Sequence, residues 1–379
     1  RLSGQHAVFI RLVEKLGIAV VTGWNAHDVI WDAHPNYAGR PGSVGDRAGN
    51  FTVQNADLLL VLGSRLNIRQ VSYNWKSFAR EAYKIWVDID ENELKKPTVK
   101  ADFPVHASLA DILPVLADQV YIGPSKEQKT WLAWCKERQR RFPVVLPEYW
   151  NNEKVNPYCF METLFGQLEE GQIVVSANGT ACVASFQTAE IKPRQRLWTN
   201  SGCAAMGYDL PGAIGACKAS GDKPVVCLAG DGSIMMNLQE LQTIVGKRLP
   251  VKIFILNNSG YVSIFQAQHN AFSGVEVGGG PRSGVTFPDY ARLSEAFGLP
   301  FRRCARHEGM AQAISDTMAM DGPAVCEVML DEHIAFAPKL GAKIWPDGRI
   351  TSPPLEDLSP FLSREELREN MLIDFLDEA

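Results

Sequence analysis

Short apolar runs alternate with helix-like segments along most of the chain. In the helix-like segments apolar residues recur at intervals of three and four, as at Leu238, Leu241 and Val245. Most of the runs are apolar throughout, which indicates parallel strands covered on both faces. The pattern therefore predicts an α/β protein with two doubly wound parallel-sheet domains. The predicted strands lie at residues 18–22, 56–62, 83–89, 172–176, 196–199, 224–229, 251–256, near 301, and at 324–329.

The same pattern divides the chain into parts. We predict an α/β domain at residues 1–120, a linker with one helix at 121–156, a second α/β domain at 157–332 and a tail at 333–379. The linker is charged and punctuated by proline, so its basic helix is expected to be solvated. The tail is proline-rich and then acidic. We expect it to pack over the surface or across a subunit.

Composition narrows the class of protein. The 379 residues are 46% hydrophobic and 21% charged, with a net charge of −5. Without a basic stripe, this balance argues against nucleic acid and against an anionic membrane surface as partners. No apolar run approaches the ~20 residues that cross a bilayer, and we expect no signal peptide. The eight cysteines form no Cys-x-x-Cys pair, so we predict free thiols in a reducing compartment, with the cytoplasm as the default.

Candidate chemistry concentrates in two polar turns, each of which follows an apolar run. The run at 224–229 ends in GDGS, and the run at 251–256 ends in NNSG. A helix between the two runs implies parallel strands, so both turns lie at the edge of the sheet where ligands bind. Asp231 and Asn258 offer oxygen ligands for Mg²⁺, and the backbone N–H groups of Gly232 and Ser233 suit a phosphate. Either turn alone would be an ordinary connection, but together they predict a metal and diphosphate site.

These turns and their spacing resemble the thiamine-diphosphate motif. The flanking stretches, MNLQELQTIVGKRLPVKIFILNN and GYVSIFQAQ, resemble those of acetolactate-synthase-like proteins, and the resemblance extends over essentially the whole chain. It implies that Asp231, Asn258 and the backbone carbonyl of Gly260 hold Mg²⁺. It also implies that Met206 supports the bent form of the cofactor, with the carbonyl of Ala204 facing the aminopyrimidine. The cofactor-binding set implied by the resemblance is Gly179, Thr180, Ala204, Met206, Gly232, Ser233, Asn258 and Tyr261.

Several positions depart from the family pattern, among them Asn67 in the first domain, which stands where the family motif has aspartate. Thr180-Ala181 stands where acetolactate synthases have Gln-His, Asp209 stands where glycine is usual, and Phe265 stands where related sequences often have arginine. The resemblance implies a lyase or carboligase acting on a 2-oxo acid or a related dicarbonyl, with acetolactate formation as the nearest named activity. Other thiamine-dependent reactions remain open: 2-hydroxyacyl-CoA cleavage, 2-oxo acid decarboxylation and diketone hydrolysis. A non-catalytic partner subunit is a further alternative.

Loops after the strands of the first domain form a candidate nucleotide site. Its glycines permit close approach, its arginine could meet a phosphate, and its aspartates could accept hydrogen bonds from a ribose. In acetolactate synthases the corresponding loops bind FAD, whereas related middle domains bind ADP or nothing. No G-x-G-x-x-G is present, so an ordinary dinucleotide fingerprint is excluded. The candidate FAD or ADP residues are Gly42, Gly63, Arg65, Asn67, Asp88 and Asp90.

The resemblance also implies a catalytic glutamate that this chain does not contain. In the family it belongs to an N-terminal domain of about 150 residues and acts across a subunit boundary. We therefore expect a fragment of a longer polypeptide or one half of a split enzyme, which needs that domain or a partner chain for turnover. Because related active sites lie between subunits, we also expect a homo-oligomer, a dimer or a tetramer.

Overall fold

The computed structural model describes residues 1–344 and 347–376, without the side chains of Ala271, Lys343 and Ile344. The chain divides into two compact units. Unit 1 comprises Arg1–Val144 and the described residues from Ala337 onward, and unit 2 comprises Val145–Phe336. Within the described ranges, no helix combines the length and the apolar character that a bilayer crossing requires.

Unit 1 is built on a three-stranded parallel sheet in the order β1-β2-β3. The fully buried Trp86 lies at the centre of its core. The strands are β1 (Leu58–Leu62), β2 (Tyr83–Asp88) and β3 (Phe103–His106). The helices are α1 (His6–Leu16), α2 (Arg47–Gln54), α3 (Ile68–Val71), α4 (Glu91–Lys95), α5 (Leu109–Asp118) and α6 (Lys126–Arg141), with a 3-10 turn at Trp75–Ser77.

Two strand predictions for this unit differ from the structure. The predicted strand at 18–22 is wrong: only Val20 pairs, in a single bridge to Tyr37, because its neighbour is an irregular segment and not a strand of the sheet. The edge strand β3 was not predicted. It contains Pro104, which lacks a backbone N–H and is tolerated at a sheet edge.

Unit 2 contains a six-stranded, fully parallel sheet in the order β5-β4-β6-β7-β9-β8. The predicted fold class, α/β with two doubly wound parallel sheets, is confirmed. The strands are β4 (Ile173–Ser176), β5 (Arg196–Thr199), β6 (Val225–Gly230), β7 (Val251–Asn257), β8 (Phe301–Cys304) and β9 (Ala324–Met329). The helices are α7 (Pro157–Gln167), α8 (Gly179–Thr188), α9 (Asp209–Ala219), α10 (Asp231–Ile234), α11 (Glu240–Gly246), α12 (Val262–Ala271), α13 (Tyr290–Ala296) and α14 (Met310–Ala319), with 3-10 turns at Pro147–Asn151, Met235–Asn237 and Pro281–Ser283.

The strand order of unit 2 reverses direction beside β4. The chain first moves outward from β4 to β5 and then returns to place β6 on the other side of β4. Such a switch point opens a crevice at the carboxyl ends of the two strands, where α/β proteins bind ligands. The segments that begin at Gly179 and at Asp231 leave the sheet at this crevice.

The tail contributes to the core of unit 1. It carries a short hairpin, β10 (Lys343–Ile344) and β11 (Ile350–Thr351), and the helix α15 (Arg364–Glu369). Leu355 is buried in the same hydrophobic cluster as Trp86. Glu356 accepts a hydrogen bond from Gln54 at 2.6 Å and pairs with Arg80 at 2.9 Å. The described part of the tail is therefore anchored within unit 1 by buried polar contacts as well as by apolar ones.

Candidate functional site

The strand β6 delivers Asp231 to the crevice at its carboxyl end. The strand is buried along nearly its whole length, and the chain turns into the short helix α10 directly at Asp231. The Asp231 side chain is only 2% exposed. Its own backbone carbonyl accepts a hydrogen bond from the Tyr290 hydroxyl at 2.6 Å, and this contact restrains the turn.

The strand β7 ends in a turn that wraps around this carboxylate. One carboxylate oxygen of Asp231 accepts the N–H of Gly260 at 3.0 Å, and the other accepts the N–H of Gly232 at 2.7 Å. Burial raises the pKa of Asp231 to about 7, although these N–H groups act in the opposite direction. A cation that binds beside such a carboxylate favours the ionised form of the side chain.

Asn258 lies in the same turn with half of its amide engaged. Its Nδ2 donates to the Thr180 hydroxyl at 3.2 Å, whereas its Oδ1 is buried and has no hydrogen-bond partner in the described part of the chain. The preceding side chain, Asn257, accepts the N–H of Ser259 at 3.0 Å and so holds Ser259 in its left-handed conformation, with φ of 59°. A buried, unpaired oxygen is unusual and needs a reason such as an ion.

Gly232 is required by the close approach of Tyr261. A Cβ atom at Gly232 would lie 2.1 Å from Cε1 of the Tyr261 ring. The tyrosine ring is held in turn by an edge contact to Phe287, with 5.9 Å between ring centroids. The Tyr261 ring therefore packs directly on the backbone of Gly232, which leaves no room for a side chain there.

These turns enclose a cavity of about 160 Å³. Its lining includes the predicted residues Gly179, Thr180, Met206, Asp231, Gly232, Ser233, Asn258, Gly260 and Tyr261, together with Asn178, Gly230, Leu256, Val262, Ser263 and Ile264. Ala204 is not among the lining residues, although it precedes Met206 closely and has a φ of 53°. Phe265 is also absent from the lining, and its ring packs against the backbone of Gly260 and Gly279 instead.

A hydrogen-bonded connection joins the turn that carries Met206 to the GDGS turn. The Gly207 N–H donates to the Ser233 hydroxyl at 3.0 Å, and that hydroxyl donates to the Asp209 carboxylate at 2.7 Å. On the other side, the Asn237 amide donates to the Gly207 carbonyl at 2.7 Å. Sequence reasoning gave no role to Asp209, Asn237, Asn257 or Tyr290. The sequence marked Asp209 by its departure from the usual glycine and Asn257 by its place in the NNSG turn, and it marked neither Asn237 nor Tyr290.

The donor set fits a hard divalent cation. Within the described ranges no group of three His, Cys, Asp or Glu side chains could hold a metal. A site built from Asp231 and the free Oδ1 of Asn258, with a backbone carbonyl such as that of Gly260, supplies one charge and neutral oxygens. Such a set leaves positions for water and phosphate oxygens, as Mg²⁺ prefers.

The candidate nucleotide residues of unit 1 also gather at one sheet edge. Gly63 follows β1, and its N–H donates to the Val87 carbonyl on β2 at 2.9 Å. Asp88 accepts the Asp90 N–H at 2.9 Å, and Asp90 accepts the Asn92 N–H at 2.9 Å as the cap of α4. These acidic side chains are therefore used by their own loop.

The other members of the set are likewise engaged within unit 1. Arg65 pairs with Glu93 at 3.1 Å, and Asn67 accepts the Arg69 N–H at 3.0 Å as the cap of α3. Gly42 donates its N–H to Asn50 at 2.8 Å, and a Cβ atom there would lie 2.8 Å from the Arg69 carbonyl. The glycine serves the packing of the loop against the segment after β1.

Two family models match the chain in sequence order. The model described as thiamine pyrophosphate enzyme, central domain, matches residues 1–116. The model described as thiamine pyrophosphate enzyme, C-terminal TPP binding domain, matches residues 177–328. The second match contains both polar turns and the whole of the cavity lining.

The similar proteins are acetolactate synthases. Acetolactate synthase isozyme 1 large subunit from Escherichia coli (strain K12) is 30% identical over 325 residues, which are 84% of this chain and 55% of that protein. Isozyme 3 large subunit from the same organism is 32% identical over 302 residues, 78% of this chain and 51% of that protein. Probable acetolactate synthase 2, chloroplastic, from Oryza sativa subsp. japonica is 30% identical over 343 residues, 86% of this chain and 50% of that protein.

The chain thus spans about half the length of the relatives that it matches, 50–55% in these three proteins. Both thiamine pyrophosphate models match this chain, and the second match contains the turns that carry Asp231 and Asn258. The chain belongs to the thiamine-diphosphate-dependent, acetolactate-synthase-like enzyme family.

Proposed function

We propose that this chain supplies the diphosphate- and metal-binding half of a thiamine-diphosphate- and Mg²⁺-dependent lyase or carboligase. The observation that carries the proposal is the buried, unpaired Oδ1 of Asn258, placed in the turn that wraps around the Asp231 carboxylate. An oxygen in this state favours a cation as its missing partner, since leaving it unpaired costs free energy.

In this proposal Asp231, Asn258 and the Gly260 carbonyl hold Mg²⁺, and the backbone of the GDGS turn receives the diphosphate. Gly179 and Thr180, at the start of α8, face the same cavity and can contact the far end of the diphosphate. Met206 supports the bend of the cofactor. When bound, thiamine diphosphate supplies a carbon nucleophile and an electron sink for bond changes next to a carbonyl group.

The substrate proposed is a 2-oxo acid or a related dicarbonyl compound. The names of the relatives favour acetolactate chemistry, but Thr180-Ala181 and Phe265 differ from the family pattern. The described lining residues include no lysine, arginine or histidine to receive a substrate carboxylate. For this reason 2-hydroxyacyl-CoA cleavage, 2-oxo acid decarboxylation and diketone hydrolysis stay open as reactions at the same cofactor.

We propose that an N-terminal domain or a partner chain covers the cavity and contributes the catalytic glutamate. Two of the lining side chains, Met206 and Ile264, are 41% and 46% exposed, and an apolar rim of this kind favours a covering surface. Among the described lining residues only Asp231 is acidic, and in this proposal it binds the metal. A homo-oligomer, dimer or tetramer, would bring such surfaces together.

Two further parts of the proposal concern unit 1 and the compartment. FAD or ADP at the edge formed by Gly63, Asp88 and Asp90 remains a prediction, with no ligand as its alternative. The eight cysteines are free, and Cys203 alone among them is exposed. Free thiols support a reducing compartment such as the cytoplasm.

Calorimetry with the 379-residue chain tests the binding half of the proposal. Thiamine diphosphate is titrated with and without Mg²⁺, against wild type, Asn258→Ala and the control Asn270→Ala, which alters an exposed residue of α12. We expect Mg²⁺-dependent heat that Asn258→Ala removes and Asn270→Ala preserves. Absence of heat from the wild-type chain, alone and together with the N-terminal domain, would contradict the proposal. Product analysis of that mixture with pyruvate, larger 2-oxo acids and diketones then separates the alternative reactions.

A further inference from the structure

Asp209 is a buried carboxylate to which the binding of the cofactor assigns no direct role. It is 0% exposed and begins α9, where its Oδ1 accepts the N–H of Leu210 at 2.9 Å. Its Oδ2 accepts the hydroxyl of Ser233 at 2.7 Å. Among the described residues, no lysine or arginine forms an ion pair with it. A buried carboxylate without a cationic partner is costly, so its hydrogen bonds determine its position.

The only hydrogen of the Ser233 hydroxyl is committed by these contacts. The hydroxyl donates this hydrogen to Asp209, and it accepts the N–H of Gly207 at 3.0 Å. No hydrogen remains for donation to a diphosphate oxygen. Ser233 therefore offers a ligand its backbone N–H, while its side chain connects the GDGS turn to the turn that carries Met206.

The Met206 turn has little freedom of its own. Gly207 has a φ of 85°, and a Cβ atom there would lie 2.6 Å from Cβ of Met236. Its carbonyl is held by the Asn237 amide at 2.7 Å, so its N–H contact to Ser233 completes the restraint. Because Met206 directly precedes Gly207 and lines the cavity, its side chain follows the position of this turn.

We propose that Asp209 is a positioning residue that fixes the distance between the Met206 turn and the diphosphate turn by holding the Ser233 hydroxyl. The identity of the ligand rests on the proposed function, whereas the connection between the turns does not. Glycine in place of Asp209 would leave the Ser233 hydroxyl free to rotate. The Met206 turn would then be restrained on one side only, by the Asn237 contact to the Gly207 carbonyl.

A double-mutant cycle without ligand tests the connection. The 379-residue chain is labelled at its methionine methyl groups with ¹³C, and Met206→Leu assigns the Met206 signal. We expect Asp209→Gly and Ser233→Ala to shift or broaden that signal in the same way, and the double variant to do no more than either single variant. The control Asp222→Gly alters an exposed aspartate paired with Lys218, with a φ of 60° that glycine accepts, and should leave the signal unchanged.

A second readout is the affinity for thiamine diphosphate with Mg²⁺, measured by calorimetry beside the Tm of each variant. We expect each single variant and the double variant to bind about tenfold more weakly, as for the loss of one hydrogen bond to a charged group. Asp209→Asn should bind within about twofold of wild type, because its amide can hydrogen-bond to Ser233 in either orientation.

An unchanged Met206 signal in Asp209→Gly, additive losses of affinity, or tighter binding by Asp209→Gly would each overturn the positioning role. If the wild-type chain and its complex with the N-terminal domain bind no cofactor, the proposed function fails, and the methyl signal still decides whether Asp209 positions the turn. If Asp209→Gly does not fold, the signal in Asp209→Ala decides, because that variant also removes the contact to the Ser233 hydroxyl.

Discussion

The two units place polar loops at the carboxyl edge of a parallel sheet, but they use the polar groups differently. In unit 1, Asp88 and Asp90 accept N–H groups of their own loop, at 2.9 Å in each case. In unit 2, Asn258 lines the same cavity as Asp231, and its Oδ1 is buried and has no partner within the described residues. One edge is satisfied by its own chain, whereas the other leaves an oxygen that costs roughly 1–3 kcal/mol until something binds it.

This difference explains why similar loop chemistry carries different weight in the two units. Glycine, asparagine and aspartate are also the residues of ordinary turns, and at the edge of unit 1 they cap helices and close turns. At the edge of unit 2 the same residue types surround a cavity of about 160 Å³. The state of each polar atom, and not the residue type, separates a connection from a binding site.

The largest expected effect compares two buried aspartates at the carboxyl ends of strands, Asp231 after β6 of unit 2 and Asp88 at the end of β2 of unit 1. Asp231→Ala should weaken Mg²⁺-dependent binding of thiamine diphosphate by about 1000-fold or more, because it removes the only charged ligand of the proposed site. Asp88→Ala, the corresponding change in unit 1, should leave that binding unchanged. Calorimetry on both variants makes the comparison. Equal losses in the two would mean that the edges do not differ as described.

The second prediction concerns pH in the absence of metal and cofactor. Burial raises the pKa of Asp231 from 3.8 to about 7. Between these two pH values the folded state therefore keeps the carboxyl proton of Asp231, which the unfolded state has lost. The contribution of Asp231 to stability is therefore lost as the pH rises toward 7, and it changes no further well above that pH. Between pH 5 and pH 8, Asp231→Asn should gain about 3 kcal/mol relative to wild type. Urea unfolding at each pH measures this difference, and a constant difference would contradict the raised pKa.

Much of this comparison follows from the sequence, because apolar runs and turn residues carry local information. The strands β6, β7 and β9 are buried on both faces, so their positions agree with the predicted runs to within a residue or two. The run at 18–22 is equally apolar, yet its neighbour in space is the segment around Tyr37, which no local pattern reveals. The short strand β3 is marked by little more than its pairing with β2.

Which atoms of the site have hydrogen-bond partners could not be predicted from the sequence, because this depends on positions in three dimensions. The Asp231 and Asn258 turns were expected to converge because adjacent parallel strands end at one edge. Whether Oδ1 of Asn258 has a partner depends on the positions of Thr180, Ser259 and Gly260 to within a few tenths of an ångström. The contact between Asp209 and Ser233 joins two turns distant in sequence, and no spacing rule predicts it.

A smaller effect is expected from the glycines of the GDGS turn. Gly232→Ala places a Cβ atom 2.1 Å from the Tyr261 ring and should lower the free energy of unfolding by about 2 kcal/mol. Gly230→Ala meets Ser233 at ordinary contact distances, its Cβ at 3.7 Å and its N at 4.0 Å, and should cost far less. Denaturant unfolding of both variants, and of Gly232→Ala combined with Tyr261→Ala, measures the effect. Failure of the second change to restore stability would place the strain elsewhere.

The smallest expected effect is that of a nucleotide at the unit 1 edge. A large effect there would contradict the comparison between the two edges. Because the polar groups of the unit 1 edge already have partners, a nucleotide must displace contacts such as the Arg65–Glu93 pair before it gains its own. We therefore expect FAD or ADP at about 1 mM to raise the Tm of the chain by less than about 1 °C. A larger rise that Asp90→Ala abolishes would establish a nucleotide site at this edge. It would also show that internally satisfied loops can exchange partners with a ligand, so that binding does not require an unpaired atom in the ligand-free chain.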